Sequence, residues 1–171
     1  MRNCTVAVFL VLGLSAATAA AATTVSDPKD AGQSRLDIKT VTADASGSAI
    51  AMTIKTWSPW ATSLLKKPSA KLYLCVYLWK AGSDTRQVFD FQICANSADG
   101  SLKPSVYDVG KGKVISTKVK VARAGGDGLK YTIPKGLLGG GKRFSWRAGS
   151  RDGGTSSLDA APIAPKSTPL A

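Results

Sequence analysis

Apolar residues recur at every second position along most of this chain, and short clusters of Gly, Ser, Asn and Asp interrupt the pattern. A period of two is typical of half-buried β-strands, because successive side chains of a strand point to opposite faces of the sheet. The pattern predicts an all-β fold, an antiparallel β-sandwich or jelly roll of about eight strands. The predicted strands are residues 35–43, 49–57, 71–80, 87–95, 102–109, 113–122, 129–133 and 142–148.

The two ends of the chain differ in composition from this alternating middle. Residues 1–22 carry the positive charge of Arg2 near their start, continue with an apolar run and finish in an Ala-rich stretch of small residues. This is the pattern of a secretory signal peptide. Residues 23–34 predict an extended lead-in, residues 35–149 the sandwich domain, and residues 150–171 a flexible tail rich in Gly, Ser and Pro. We therefore expect a secreted protein, extracellular or cell-wall associated, with no membrane span in the mature chain.

Charge and residue choice narrow the chemistry further. The 171 residues include 23 Lys plus Arg, 11 acidic residues and no His, which gives a formal net charge of +12. Every acidic residue is Asp. The lack of His and Glu excludes Ser-His-Asp and Cys-His nucleophilic systems, imidazole zinc sites and Glu-based glycosidase pairs. We expect a protein that is not an enzyme, and the alternative is a hydrolase that uses Asp and Ser.

The cysteines indicate one disulfide. Cys4 precedes the apolar run of the signal peptide and is expected to be lost on processing, which leaves Cys75 and Cys94. Two cysteines in an exported chain are expected to pair. They lie in two consecutive predicted strands, so the bond also suggests how those strands are aligned.

If Cys75 lies opposite Cys94 in a hairpin, almost all strongly apolar side chains of both strands share one face. A slip of one residue would destroy this agreement, so the apolar pattern and the cysteine spacing support the same register. The predicted core face consists of Leu72, Leu74, Val76, Leu78, Phe89, Phe91 and Ile93.

The same register puts Tyr77 opposite Gln92 and Trp79 opposite Asp90 on the other face, together with Tyr73. Aromatic planes beside hydrogen-bonding groups suit sugar rings, which present apolar faces edged with hydroxyls. Tyr77, Trp79, Asp90 and Gln92 are therefore the candidate ligand-binding residues. The alternative is that these aromatic side chains pack under a loop or against a neighbouring strand.

Basic residues are spread along the chain, and Arg143 and Arg147 share the outer face of a strand whose Phe144 and Trp146 point inward. A secreted protein with a pI near 9.9 is expected to associate with anionic surfaces such as wall polymers. The expected partner is a polysaccharide or an anionic surface polymer, with no specific nucleic acid. One alternative is a basic protein that is held on the wall by electrostatics alone. The other is that the positive charge only keeps the protein soluble. The densest basic run is Lys111, Lys113, Lys118, Lys120 and Arg123.

Four aspartates are candidates for a metal site. Asp27, Asp30 and Asp37 are close in sequence, and Asp159 would reach them if the tail folds back. Carboxylate oxygens are hard ligands suited to Ca²⁺, so Asp27, Asp37 and Asp159 are the predicted ligands, and no other cofactor is expected. The alternative is structural: Asp27 opens a turn before Pro28, and Asp37 hydrogen-bonds only to the backbone.

Four short motifs carry a family resemblance that spans nearly the whole mature chain. They are the opening DPKD and LDI of residues 27–30 and 36–38, which resembles a DP..D...LDI pattern, the TW..W of residues 56–60, the FxWxA of residues 144–148 and the DxAP of residues 159–162. With them the chain resembles mostly uncharacterised secreted bacterial β-sandwich domains, similar in layout to carbohydrate-binding modules of the DOMON-like type. The resemblance implies a sandwich fold and, less directly, a secreted module that binds carbohydrate. The chain departs from the pattern in its Lys29-Asp30-Ala31 segment and in the lack of tail cysteines.

Overall fold

Two antiparallel β-sheets make up the fold in the computed structural model, which describes residues 22–32, 34–66, 72–85, 88–152 and 158–170. The predicted signal peptide, apart from Ala22, lies outside the described residues. None of the helices in the described ranges has the length and apolar character needed to cross a membrane. The predicted all-β sandwich is confirmed.

The described residues form eleven strands, and two short 3₁₀ helices, Thr62–Leu65 and Lys135–Leu138, connect some of them. The five-stranded sheet has the order β1-β2-β3-β9-β8, and the six-stranded sheet has the order β11-β10-β4-β5-β6-β7. The strands are β1 (Thr23–Ser26), β2 (Ile38–Asp44), β3 (Ala49–Thr56), β4 (Tyr73–Trp79), β5 (Phe91–Ala98), β6 (Ser101–Asp108), β7 (Lys113–Ile115), β8 (Lys120–Arg123), β9 (Gly128–Pro134), β10 (Arg143–Arg151) and β11 (Leu158–Pro169).

The count exceeds the predicted eight strands partly because residues 113–122 form two strands. β7 pairs with β6 in one sheet, whereas β8 pairs with β9 in the other, so the chain changes sheets between them. The amide of Val119 donates to the Thr117 side chain at this crossing, and the Val119 side chain is buried. Alternation of side chains continues through the crossing, which is why the sequence pattern resembles one strand.

The predicted flexible tail is wrong for residues 158–169. This segment is β11, an edge strand that pairs with β10, with a register shift between Trp146 and Ala148. Its composition suggested a loose tail because it contains several prolines, which cannot donate to a sheet ladder. An edge strand tolerates proline, because its outward-facing amides have no partner to lose.

The core fills the space between the two sheets and includes the predicted face of β4. Leu74, Val76 and Leu78 are fully buried there, and Leu72 packs against the cluster at its margin. Cys75 and Cys94 form a disulfide and lie directly opposite each other. A cross-link that closes a loop of this length stabilises a fold by about 3 kcal/mol in the chain-entropy model.

One buried hydroxyl connects the sheets across the core. Tyr131 of β9 is fully buried, and its hydroxyl donates to the carbonyl oxygen of Leu74 in β4 over 2.7 Å. A buried polar group without a partner is costly, so this bond favours one lateral arrangement of the two sheets.

Replacing Tyr131 by Phe removes this cross-sheet bond and keeps the ring. We expect the free energy of unfolding to fall by about 1 to 2 kcal/mol, measured by urea denaturation. Tyr107→Phe is the control, because Tyr107 is partly exposed and its variant is expected to stay within about 0.5 kcal/mol of wild type. Equal stability of the Tyr131→Phe and wild-type proteins would contradict the role of this bond.

Candidate functional site

The outer face of the six-stranded sheet carries a row of side chains that crosses four strands. Arg147 of β10 pairs with Tyr77 of β4, Tyr77 pairs with Gln92 of β5, and Gln92 pairs with Tyr107 of β6. The predicted Tyr77–Gln92 register is therefore confirmed. Gly149, opposite Cys75, lies in the neighbouring row.

A groove of about 950 Å³ lies over this row. β4, β5 and β6 form its floor, β10 and β11 contribute one side, and the segment before β5 contributes another. Three of the four predicted ligand-binding residues line it. Its lining includes the aromatic Tyr73, Tyr77, Trp79, Phe89 and Tyr107, the polar Thr85, Gln92, Asn96 and Ser105, and the charged Arg147 and Asp159.

Phe89 is on the groove side of the sheet, not on the predicted core face. β5 begins only at Phe91, so the alternation that assigned Phe89 to the core does not extend to it. Its ring lies 4.7 Å from the Tyr77 ring, and it meets the Trp79 ring edge-on at 6.2 Å. Trp79 is only 5% exposed, so its ring forms part of the wall and is not an open platform. The aromatic side chain most exposed among these is Tyr107, at 37%.

Tyr77 is held firmly in the groove floor. Burial raises the pKa of its hydroxyl far above the usual tyrosine value, and the adjacent Tyr73, to which it is hydrogen-bonded, raises this pKa further. The Tyr77 hydroxyl is thus neutral at physiological pH. A Cβ added at Gly149 would lie 2.8 Å from the Tyr77 ring, so the glycine is what leaves room for that ring.

The structure assigns Asp90 a different role from the predicted one. Its carboxylate accepts hydrogen bonds from the Lys80 amide over 2.7 Å and from the Ser83 hydroxyl over 2.8 Å. It therefore holds the turn after β4, and it is not among the described residues that line the groove. The regular pairing of β4 with β5 ends at Leu78 and Phe91, one step before Trp79 and Asp90.

Gln92 lies over the disulfide at the middle of the groove. Its side-chain amide points at the two sulfur atoms, 3.3 Å from Cys94 Sγ and 3.7 Å from Cys75 Sγ. Sulfur is a weak acceptor, so this amide nitrogen is available for a stronger acceptor on a ligand.

Tyr107 is a groove residue that the sequence analysis did not single out, although a signal for it exists. Asp99 and Gly100 both have positive φ, 52° and 76°, and they form a two-residue turn between Ala98 and Ser101. Asp-Gly is a strong hairpin signal, and a two-residue loop fixes the register of the strands that it joins. Counting from this turn puts Tyr107 opposite Gln92.

The basic run does not form one uniform surface. Lys113, Lys118 and Lys120 are exposed, whereas Lys111 pairs with Asp108 over 3.3 Å. Arg123 has a structural role: its guanidinium lies 4.0 Å from the centre of the Trp60 ring and donates to the Trp60 and Gly126 carbonyls. Arg147 points into the groove, and the predicted inward positions of Phe144 and Trp146 are confirmed by their burial.

Two of the three predicted metal ligands, Asp27 and Asp159, come together with Asp30 at one end of the fold, and Asp37 is not part of this group of three. Oxygens of Asp27, Asp30 and Asp159 all lie within 4.8 Å of one another, so the fold-back of Asp159 is as predicted. Asp37 is buried nearby, and the amide of the next residue, Ile38, donates to Asp159 over 2.5 Å.

Burial and neighbouring charges disfavour ionisation of Asp27, Asp37 and Asp159. Burial raises the pKa of Asp159 to about 6, with a contribution from the neighbouring Asp27 carboxylate. Burial also raises the pKa of Asp27 and of Asp37, and the Asp159 charge adds to the effect on Asp37. Carboxylates crowded in this way favour either shared protons or a bound cation.

No protein-family model matches the chain, and no curated protein matches it in sequence.

Replacing Gly149 by Ala tests whether the groove floor is rigid. The new methyl group would collide with the Tyr77 ring, so we expect a loss of about 1 to 3 kcal/mol in unfolding free energy, measured by denaturation. Gly136→Ala is the control, because a Cβ there meets no atom within 4 Å, and it should be neutral or slightly stabilising. A Gly149→Ala protein as stable as wild type would show that the Tyr77 ring moves aside freely.

Proposed function

We propose that this protein is a secreted, non-catalytic module that binds a carbohydrate polymer in the groove on its six-stranded sheet. The observation that carries the proposal is the row formed by Tyr77, Gln92 and Tyr107, in which an amide lies between two aromatic side chains. A sugar ring has apolar C–H faces that pack on aromatic planes and hydroxyls that bond to amides and hydroxyls.

The size and shape of the groove support an extended ligand. Its volume of about 950 Å³ is near the upper end of the range for small-molecule sites, and it runs along several strands. Polar side chains accompany the aromatic ones, with Thr85, Asn96 and Ser105 along its length. Such a lining is suited to several consecutive sugar units.

The acidic content of the groove favours binding over hydrolysis. Glycoside hydrolysis ordinarily requires two carboxyl groups on either side of the scissile bond. Among the described lining residues Asp159 alone carries a carboxyl group, and that group contacts Asp27 and the Ile38 amide. If the protein were a hydrolase, it would release soluble products from a bound polymer.

A second candidate is electrostatic retention on an anionic wall polymer. The net charge of +12 and the exposed Lys113, Lys118 and Lys120 favour it. The two candidates differ in their response to salt, because exposed charges are screened and a stacked sugar ring is not. Arg147 is a groove residue that would favour an acidic sugar in either case.

The signal-peptide pattern and the resemblance to secreted sandwich modules support an extracellular or wall-associated location. Both rest on the sequence. Detection of the processed chain in the culture medium or the wall fraction would test the location independently of the ligand.

Replacing Tyr107 by Ala tests the groove with little risk to the fold, since the side chain is partly exposed and lies outside the core cluster. We expect retention on the best ligand from a glycan array to weaken at least tenfold, which is a loss of about 1.4 kcal/mol. Trp79→Ala is less suitable, because truncation of that buried ring would also remove packing.

Trp57→Ala is the matched control, because Trp57 is 40% exposed and follows β3 of the other sheet. It should bind within about twofold of wild type. Each protein is assayed at low and at physiological salt. Retention that disappears at physiological salt and does not change in Tyr107→Ala would contradict the groove and favour the electrostatic candidate.

A further inference from the structure

The acidic cluster has the geometry of a single-ion site. Calcium binds oxygen atoms at about 2.3 to 2.6 Å, so two ligands on opposite sides of one ion are at most about 5 Å apart. Oxygens of Asp27, Asp30 and Asp159 are all within 4.8 Å of one another. One ion can therefore contact all three carboxylates without rearrangement of the backbone.

Asp37 provides a second, independent observation. Its side chain is fully buried, and no side chain among the described residues donates a hydrogen bond to its carboxylate, which has only the backbone of Ala31 nearby as a weak donor. It lies beside the cluster, because the charges of Asp159 and Asp30 both raise the pKa of the Asp37 carboxyl. A buried carboxylate without a partner is costly, and native proteins seldom retain one unless an ion or water completes it.

No basic side chain in the described part of the chain forms an ion pair with this group, and Lys29 acts on Asp37 only through its charge at a distance. None of its four carboxylates forms an ion pair within 4.0 Å there, and the Asp27 Oδ2 atom also lacks a hydrogen-bond partner. Arg147 lines the adjoining cavity of about 430 Å³ together with three of the aspartates, without pairing to any of them. The cavity opens beside the cluster and gives an ion access to it.

We propose that Asp27, Asp30, Asp37 and Asp159 bind one calcium ion that joins the two sheets of the sandwich. Asp27 follows β1 and Asp37 precedes β2 in the five-stranded sheet, whereas Asp159 belongs to β11 of the six-stranded sheet. The positive ion removes the repulsion between the carboxylates, because all of them coordinate it. It fixes the edge strand whose residues 158–160 line both the cavity and the groove.

Calcium suits these ligands better than the other common ions. The donors are all carboxylate oxygens, and neither His nor Cys is present in the cluster, which disfavours zinc and copper. Magnesium requires near-ideal octahedral geometry at about 2.0 to 2.1 Å and is seldom held by an all-protein cage. Extracellular modules bind calcium with dissociation constants of about 10⁻⁴ to 10⁻³ M, and we expect this range here.

The test measures calcium binding directly and does not depend on the ligand of the groove. Exported protein is stripped with a chelator, and CaCl₂ or MgCl₂ is titrated into it in a calorimeter and in a thermal melt. We expect the heat of calcium binding to fit a single site and the melting temperature to rise by about 5 °C at saturating calcium. Magnesium should give a much smaller response in both measurements.

Two variants distinguish a ligand from a structural residue. Asp30→Asn changes an exposed side chain and should weaken calcium binding at least tenfold without unfolding the protein. Asp37→Asn should leave the melting temperature of the stripped protein unchanged or higher, because it removes a repulsive charge, while abolishing the rise with calcium. Asp99→Asn, an equal charge change in the exposed β5–β6 turn, is the control and should bind as wild type.

The absence of calcium heat and of a calcium-dependent melting shift in the wild-type protein would overturn the proposal and leave shared protons as the explanation of the cluster. Undiminished calcium binding by both Asp30→Asn and Asp37→Asn would overturn it as well, since the ion would then be held elsewhere. Neither outcome bears on the carbohydrate proposal.

Discussion

The register between β4 and β5 is the constraint on which the rest of the six-stranded sheet depends. A shift of one residue would turn the buried face of one of the two strands outward, so that Leu74, Val76 and Leu78 could no longer share the core with Phe91 and Ile93. The disulfide between Cys75 and Cys94 excludes that shift, since it joins residues that are directly opposite each other. One covalent bond thus specifies both the core between the sheets and the groove on the far side.

The sandwich is closed at one end by polar contacts that converge on the last strands. Ser150 of β10 donates to the Leu36 carbonyl, and the Arg35 guanidinium forms two hydrogen bonds with the Asp152 carboxylate. The Asp159 carboxylate accepts from the amide of Ile38 only a few residues away. The segment that leads into β2 therefore attaches to the edge of the opposite sheet by directional bonds. The Asp159–Ile38 bond is the one of these that involves β11, and it couples the order of this edge and of the groove wall to the five-stranded sheet.

The alternation of apolar residues was sufficient to predict the β fold, the inward face of β4 and the inward pair Phe144 and Trp146. It was insufficient where a strand ends, because alternation describes faces and not pairing partners. Phe89 was therefore misassigned to the core, and the sheet change near Val119 was missed. The position of Tyr107 opposite Gln92 follows only when the Asp99-Gly100 turn is used to set the register of β5 and β6. The contact of Asp159 with Asp27 requires residues 158–169 to form an edge strand. The prolines of this segment indicate a loose tail instead, so the sequence does not predict its path.

The side chains that line the groove differ in exposure, which separates residues that shape the groove from a residue that is open to solvent. Trp79 is nearly buried and Tyr77 is confined by Gly149, so both serve mainly to shape the floor. Tyr107 lies at the other side of Gln92 on β6, where its ring remains partly exposed and outside the core cluster. A rigid floor lowers the entropy lost when a ligand binds, because few side chains remain to be immobilised. Under the proposed carbohydrate binding, a change of the exposed ring would alter affinity while the packed rings preserve the groove and the fold.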